Sequence, residues 1–93
     1  MPKREKQDIW GALADGTRRE ILLLLRSRPH TAGELADQFE LTAATVSHHL
    51  AVLRASGLVH VERRAQTLIY SLAAEGFGEV SAYLKLFARG RRK

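Results

Sequence analysis

Two helix-start signals close together constrain the fold of this chain more than any other feature. Thr31 and Glu34 have the spacing of a capping box, in which each side chain accepts a hydrogen bond from the other residue's amide. A second N-cap candidate follows at Thr42, after the segment Glu40-Leu41, which is too brief for anything but a tight turn. A short helix, a turn and a second helix make up the helix-turn-helix pattern.

Helical periodicity also precedes this pattern. Gln7–Ala14 carries apolar residues at helical spacing and predicts a short first helix. Asp15 is placed to cap a second helix, which we expect to end at Pro29. Leu35 and Phe39, four residues apart, give the third helix its apolar side.

The periodicity changes after Gly57, which stands where a left-handed residue would end the fourth helix. Leu58–Arg64 and Thr67–Leu72 alternate as strands do and predict a hairpin with a short polar tip. A last amphipathic helix follows. We therefore predict a mainly α fold with a small antiparallel β-hairpin wing, a winged helix-turn-helix of order α-α-α-α-β-β-α.

Composition narrows the function classes. The chain has 93 residues, a length that predicts one domain over 1–93, with basic tails at 1–6 and 89–93. Its net charge of +5 is typical of nucleic-acid binders, although solvated tails explain much of that charge equally well. The absence of cysteine excludes disulfides and thiolate metal sites. No signal peptide or membrane-length apolar run is visible, so we expect a cytoplasmic protein.

The fourth helix has an outward face suited to the DNA major groove. With Val46 at the centre of the buried side, the face centres on His48 and is small and nearly uncharged. Small side chains let a helix lie deep in the groove, and hydroxyl and imidazole groups can bond base edges. Ordinary solvated surface is the alternative, and for His49, near the apolar edge, local bonding is favoured. The residues predicted to contact DNA here are Thr42, Ala44, Thr45, Ser47 and His48.

Two further groups of side chains are candidates for DNA contact. Arg18 and Arg19 open the second helix, where phosphate contacts and a simple solvated face are equally good interpretations. Arg63, Arg64 and Gln66 lie at the wing tip, from which a minor groove or a phosphate can be reached.

Three segments resemble signatures of the ArsR-type winged-helix repressors. Ala14–Leu22 resembles their opening motif D-P-T-R-R-x-I-L, and Thr45–Leu53 matches their recognition-helix signature V-S-x-H-L-x-x-L. Gly57–Val59, followed by Tyr70–Leu72, matches their strand-wing-strand ending. The three occur in the family's order and cover roughly residues 7 to 75.

The chain departs from the family pattern at two positions. Gly16 replaces the usual proline, which loses a preset first turn but not the fold. Ala65 stands where a wing glycine is common, so we expect the wing turn to differ in detail.

The resemblance implies a homodimer built from the first and last helices. Two-fold symmetry then predicts a palindromic, inverted-repeat operator in double-stranded DNA, with half-sites about one turn apart. The sequence is compatible, because these helices carry more apolar surface than so short a monomer easily hides. Completion of the monomer core is the alternative for some positions. The residues assigned to the dimer interface are Ile9, Trp10, Leu13, Val80, Tyr83, Leu84 and Phe87.

The metal sites of the family are not matched. Ala36 and Gln38 stand where one site type has a Cys-x-Cys pair, and no histidine follows His60 to supply the last-helix site. We expect no metal, no cofactor and no small-molecule substrate. Such a member most resembles the SdpR-type branch of autorepressors. That resemblance implies control from outside the domain, for instance by a membrane protein that sequesters the repressor.

Other function classes are less well supported. An enzyme is not expected, because no cysteine nucleophile, glycine-rich phosphate loop or Ser-His-Asp frame is present. A protein-interaction winged helix is another class. It would carry acidic or apolar residues on the outer face of its fourth helix, whereas here that face is small and weakly polar. A sensor with an organic ligand between subunits stays open, since Trp10, Tyr83 and Phe87 could line a pocket, although packing is their more usual role.

Overall fold

The computed structural model describes residues 8–88, so the predicted basic tails at 1–6 and 89–93 lie outside the described residues. The predicted winged helix-turn-helix, mainly helical with an antiparallel hairpin, is confirmed. The elements in chain order are α1 (Ile9–Leu13), α2 (Gly16–Ser27), β1 (His30–Thr31), α3 (Ala32–Phe39), α4 (Ala43–Ala55), β2 (Val59–Arg64), β3 (Thr67–Leu72), a 3₁₀ turn (Ala74–Phe77) and α5 (Gly78–Ala88).

The helix starts predicted from side-chain caps are confirmed. Thr31 Oγ1 accepts from the Glu34 amide at 3.1 Å, and Glu34 Oε1 accepts from the Thr31 amide at 2.9 Å, which completes the capping box. Asp15 caps α2, and Thr42 Oγ1 caps α4 by accepting an amide hydrogen bond at 3.1 Å. These bonds satisfy amides that have no partner inside their own helix.

Helix α1 is shorter than the predicted span Gln7–Ala14. The Asp8 carboxylate accepts from the amide of Gly11 at 2.8 Å, so the helix begins directly after Asp8. Ala14 lies beyond its last residue, and Gln7 is outside the described residues.

Three residues with positive φ mark the chain reversals. Gly57, at φ 81°, ends α4 in the left-handed conformation that the sequence predicts. Glu40, at φ 56°, closes α3 and opens the tight turn to α4. Ala65 has φ 57° at the wing tip, where glycine would carry no steric cost. A residue other than glycine therefore adopts the left-handed conformation in the wing turn.

The sheet contains a strand that sequence periodicity did not predict. The strand order is β1-β3-β2, with all pairs antiparallel. β2 and β3 form the predicted hairpin, and β1 adds His30 opposite Tyr70 on the other edge of β3. Two residues are too few to show alternation, so β1 is detectable only after the chain has folded.

The core lies between α2, α3 and α4, with β2 and β3 closing one side. The predicted stripe of Val46, Leu50 and Leu53 on α4 is buried. Val52, on another side of the same helix, is buried as well. The largest fully buried side chains are Ile21, Val46, Leu35, Leu50, Leu53 and Leu58. Among residues 8–88, no helix is long and apolar enough to cross a membrane.

A close backbone approach joins the 3₁₀ turn to the end of α4. A Cβ built on Gly76 would overlap the carbonyl group of Gly57, so only glycine fits there without a shift of the main chain. The amide of Ala73 donates to the carbonyl of Leu58 at 2.9 Å beside this contact. Because α5 begins at Gly78, the approach fixes where α5 leaves the domain.

We expect Gly76→Ala to lower the free energy of unfolding by about 1–3 kcal/mol, because the new methyl group has no space. Gly78→Ala is the matched control, since nothing lies within 4 Å of a Cβ at that position. It should stay within about 0.5 kcal/mol of the wild type. Urea unfolding followed by circular dichroism measures both; equal midpoints for Gly76→Ala and the wild type would contradict the close approach.

We expect Thr42→Ala to destabilise the chain by about 1 kcal/mol, because the cap of α4 loses its acceptor. Thr42→Ser retains a hydroxyl at the cap and should recover most of the loss. The same urea experiment compares the two, and a Thr42→Ala protein as stable as the serine variant would show that the cap contributes nothing.

Candidate nucleic-acid interface

Helix α4 presents a continuous exposed face of mostly small side chains, here called the reading face. Because Val52 is buried close to His48 on the helix circumference, the face does not extend past His48 on that side. Its centre lies nearer Ala51 than the predicted centre at His48. The reading face consists of Ala44, Ser47, His48, Ala51, Arg54 and Ala55.

Thr42 and Thr45 lie beside the reading face, at the start of α4. Both are exposed, and the Thr42 hydroxyl donates to Thr45 Oγ1 at 2.9 Å. Thr45 therefore accepts one hydrogen bond from within the chain. Its own hydroxyl hydrogen can still be donated to another group.

Arg54 belongs to the reading face although sequence reasoning did not select it. It is exposed and lies two helical turns beyond Ser47, on the same side of α4. Together with Ser47 and Ala51 it lines a depression whose other wall is Tyr70 of β3. The Tyr70 side chain closes this depression from β3, a contact that the sequence does not reveal. Only the helical spacing of Arg54 from Ser47 could have placed Arg54 on the reading face.

The guanidinium group of Arg18 contacts α1 and α4. Nε donates to the carbonyl of Ala12 at 2.9 Å and Nη2 to that of Gly11 at 3.3 Å. Nη1 lies 3.2 Å from Nδ1 of His49. The phosphate contact expected from Arg18 would have to compete with these three interactions.

His49 lies at the edge of the core, where the sequence favours local bonding. Burial lowers the pKa of His49, and the Arg18 guanidinium acts in the same direction, against the attraction of the Asp15 carboxylate. Nδ1 can accept from Arg18 only when the ring is neutral and its proton is on Nε2. The geometry and the lowered pKa both indicate a neutral imidazole.

Arg19 and the wing residues remain at the surface. Arg19 donates to the carbonyl of Leu13 at 2.8 Å and is otherwise exposed. Arg64 Nε forms an ion pair with Glu62 at 3.0 Å between two well-exposed side chains. Exposed pairs of this kind contribute little, so a phosphate can replace the Glu62 carboxylate. Arg63 and Gln66 are exposed on either side of the wing turn.

A second exposed surface, the α1–α5 surface, is apolar. Trp10 packs edge-on against Tyr83, and Tyr83 against Phe87, both with ring centroids 5.1 Å apart. Because the three aromatic rings contact each other, they favour packing over the lining of a ligand pocket. The α1–α5 surface consists of Trp10, Val80, Tyr83, Leu84, Leu86 and Phe87.

The residues assigned to a dimer interface differ in how much of their surface is exposed in the monomer. None of residues 78–88 is buried, and Leu84 and Phe87 are 57% and 64% exposed. Leu86, which sequence reasoning missed, is 68% exposed. Ile9 and Leu13 are half-buried against the core, so the monomer itself uses part of their surface.

Residues 8–88 contain no cluster of three or more His, Cys, Asp or Glu side chains placed to hold a metal ion. The neighbouring rings of His48 and His49 have centroids 5.8 Å apart and are tilted by 54°. The Nδ1 lone pair of His49 is directed at Arg18, a cation.

Comparison with known proteins identifies the family. The model of the bacterial regulatory protein arsR family matches residues 15–61. The transcriptional repressor SdpR of Bacillus subtilis is 37% identical over 65 residues, which are 70% of this chain and 72% of SdpR. The transcriptional activator HlyU of Vibrio cholerae is 38% identical over 78 residues, 84% of this chain and 69% of HlyU.

Solved structures agree with the fold. One similar structure is the homodimeric winged helix-turn-helix DNA-binding domain of a possible ArsR-family transcriptional regulator from Mycobacterium bovis. It has a TM-score of 0.69 and 28% identity, over 89% of this chain and 77% of that one. The relatives named here are regulators, in agreement with the expectation that this chain is not an enzyme. The chain is a member of the ArsR family of DNA-binding winged helix-turn-helix transcriptional regulators.

Proposed function

We propose that the chain is a transcriptional repressor that binds an inverted-repeat operator as a homodimer, with α4 in the major groove. The observation that carries the proposal is the reading face. It is exposed over the length of α4, it is made mostly of small side chains, and its one charged residue stands near the end of the helix. A helix with that face can approach base edges closely.

Sequence reading is assigned to the polar groups of the reading face and its N-terminal border. Ser47 and His48 each offer donors and acceptors to base edges, and Ala44 offers a methyl group to thymine. Thr42 and Thr45 border the groove at the start of α4, where hydroxyl groups reach bases or phosphates.

Affinity is assigned to cations around the reading face. Arg19, Arg54 and the wing tip are exposed and can meet phosphates, which carry no sequence information. The wing contribution comes from Arg63, Arg64 and Gln66. Arg18 is assigned to the support of α4, because its donors are directed at α1 and His49.

Dimerisation is assigned to the α1–α5 surface. Leu84, Leu86 and Phe87 expose more than half of their surface, which a monomer of this size has no reason to leave in water. The similar domain from Mycobacterium bovis is homodimeric, which supports dimerisation of this chain. Two-fold symmetry would then place two reading faces about one DNA turn apart.

The regulatory sign is assigned by likeness to SdpR, which is named a repressor, whereas HlyU is named an activator. The proposal includes autoregulation, as the likeness to SdpR implies. It includes no metal effector, because Ala36 and Gln38 offer no thiolate ligands. Release by a sequestering membrane protein and a cytoplasmic location complete the proposal.

We expect Ser47→Ala and His48→Ala each to weaken operator binding by about 1–3 kcal/mol, the range of one good base contact. A mobility-shift titration on the DNA upstream of the chain's own gene, at two salt concentrations, measures this. Arg64→Ala is the contrasting variant, because a lost phosphate contact should weaken binding to operator and scrambled DNA alike. Unchanged operator affinity in both α4 variants would refute the assigned reading face.

We expect Leu84→Glu to convert the dimer to a monomer, because it places a charge within the α1–α5 surface. Leu23→Glu is the matched control: Leu23, on α2, is 58% exposed against 57% for Leu84 but lies outside that surface. Sedimentation velocity reports the oligomeric state of both. A dimer that survives Leu84→Glu at micromolar concentration would show that the two copies associate elsewhere.

A further inference from the structure

We propose that Arg18 is a positioning residue that connects α4 to α1 through His49, and that protonation of His49 breaks this connection. The inference rests on the proposed function, since it assumes that α4 reads DNA and that α1 belongs to the dimer surface. It adds a proton-dependent control of operator binding that uses neither a metal nor an organic effector.

The geometry places one guanidinium group between two helices. Arg18 donates to the carbonyls of Gly11 and Ala12 in the last turn of α1, and the Gly11 carbonyl also accepts from the amide of Ala14 at 3.2 Å. Its third contact is with His49 Nδ1 on α4. Arginine is suited to this role because its donors form a rigid planar fork.

The contacts of Arg18 are continuous with the α1–α5 surface. Trp10 directly precedes Gly11 in α1, and its ring packs on Tyr83 of α5. At the other end, His49 is adjacent to His48 in the sequence and follows Thr45 by one helical turn. A shift of the His49 ring therefore acts on a helix turn that carries two predicted DNA contacts.

Protonation of His49 is incompatible with the observed contact. A protonated ring has no lone pair on Nδ1, and its charge would face the Arg18 guanidinium at hydrogen-bond distance. The charged groups that act on the ring are Asp15 and Arg18 of α2 and His48 of α4; to Arg18, α1 presents only carbonyls. Asp15 favours the protonated form, but burial outweighs it.

The direction of the pH effect follows from the lowered pKa of His49. In the folded chain the ring stays neutral at pH values where a free histidine, with its ordinary pKa of 6.5, begins to take up a proton. The stabilising contact is complete above that value. It is lost as the pH falls below 6.5 and through the lower pKa of the folded state.

The first test compares Arg18→Met with Arg19→Met. Arg19 also donates to α1, at the carbonyl of Leu13, but its contact stays within α1 and α2. Fluorescence anisotropy measures the affinity of each protein for an operator duplex, enriched from a random library on the wild type, and for a scrambled duplex. We expect Arg18→Met to reduce the ratio of the two affinities roughly tenfold, as loss of a charge-assisted hydrogen bond would. Arg19→Met should lower both affinities and leave their ratio unchanged. Equal ratios for the two variants would overturn the proposal.

The second test uses the pH profile, which a purely structural role would not change in this way. His49→Asn keeps an acceptor near the position of Nδ1 but has no group that takes up a proton in the pH range of the experiment. His49→Ala removes the acceptor. As the pH is lowered from 7.5 to well below 6.5, the wild-type affinity ratio should fall more steeply than that of the Asn variant, and the Ala variant should be low throughout. Both variants retain His48 and His60, so any difference from the wild type belongs to His49.

The outcomes separate the two proposals. If the wild type does not distinguish the enriched duplex from the scrambled one, the proposed function fails and the inference fails with it. If the wild type does distinguish them but His49→Asn shows the same pH profile as the wild type, only the connection through His49 is overturned.

Discussion

The burial of one apolar stripe on α4 determines what the rest of the molecule can do. Val46, Leu50 and Leu53 pack among α2, α3 and the sheet, and burying them fixes the rotation of α4 about its axis. A different rotation would expose leucine to water and bury polar groups without partners, and both changes are unfavourable. The buried side chains of α4 therefore determine which of its other side chains face outward.

In the proposed function, sequence recognition and electrostatic attraction are assigned to different parts of the molecule. The reading face is nearly neutral, whereas arginines stand at its end, at the start of α2 and on the wing. Charges attract any DNA sequence, and short polar groups distinguish one sequence from another. Such a separation lets a small domain bind DNA without its cations overriding the base contacts.

The sequence was sufficient where local chemistry decides the structure. Threonine caps, the left-handed Gly57 and strand alternation in the wing depend on neighbours within a few residues, and each was predictable. The missed features depend on contacts between distant segments. β1 exists because it pairs with β3, and Arg54 lines a depression because Tyr70 of β3 closes its other side.

The candidate site follows the same rule. Helical periodicity predicted that Ser47 and His48 point outward, but it could not show that Val52 is buried and narrows the face beside His48. Helical periodicity also could not show that Arg18 contacts α1 and His49, since these partners come together only through the packing of three helices.

The approach of Gly76 to Gly57 has a consequence for how regulators of this shape can diverge. α5 leaves the domain from a main-chain contact with the residue that ends the reading helix, and no side chain takes part in it. If two copies associate through α5 as proposed, substitutions along α5 change the strength of association while the direction of α5 relative to α4 is preserved. In that arrangement, the strength of dimerisation and the direction of α5 relative to α4 depend on different residues.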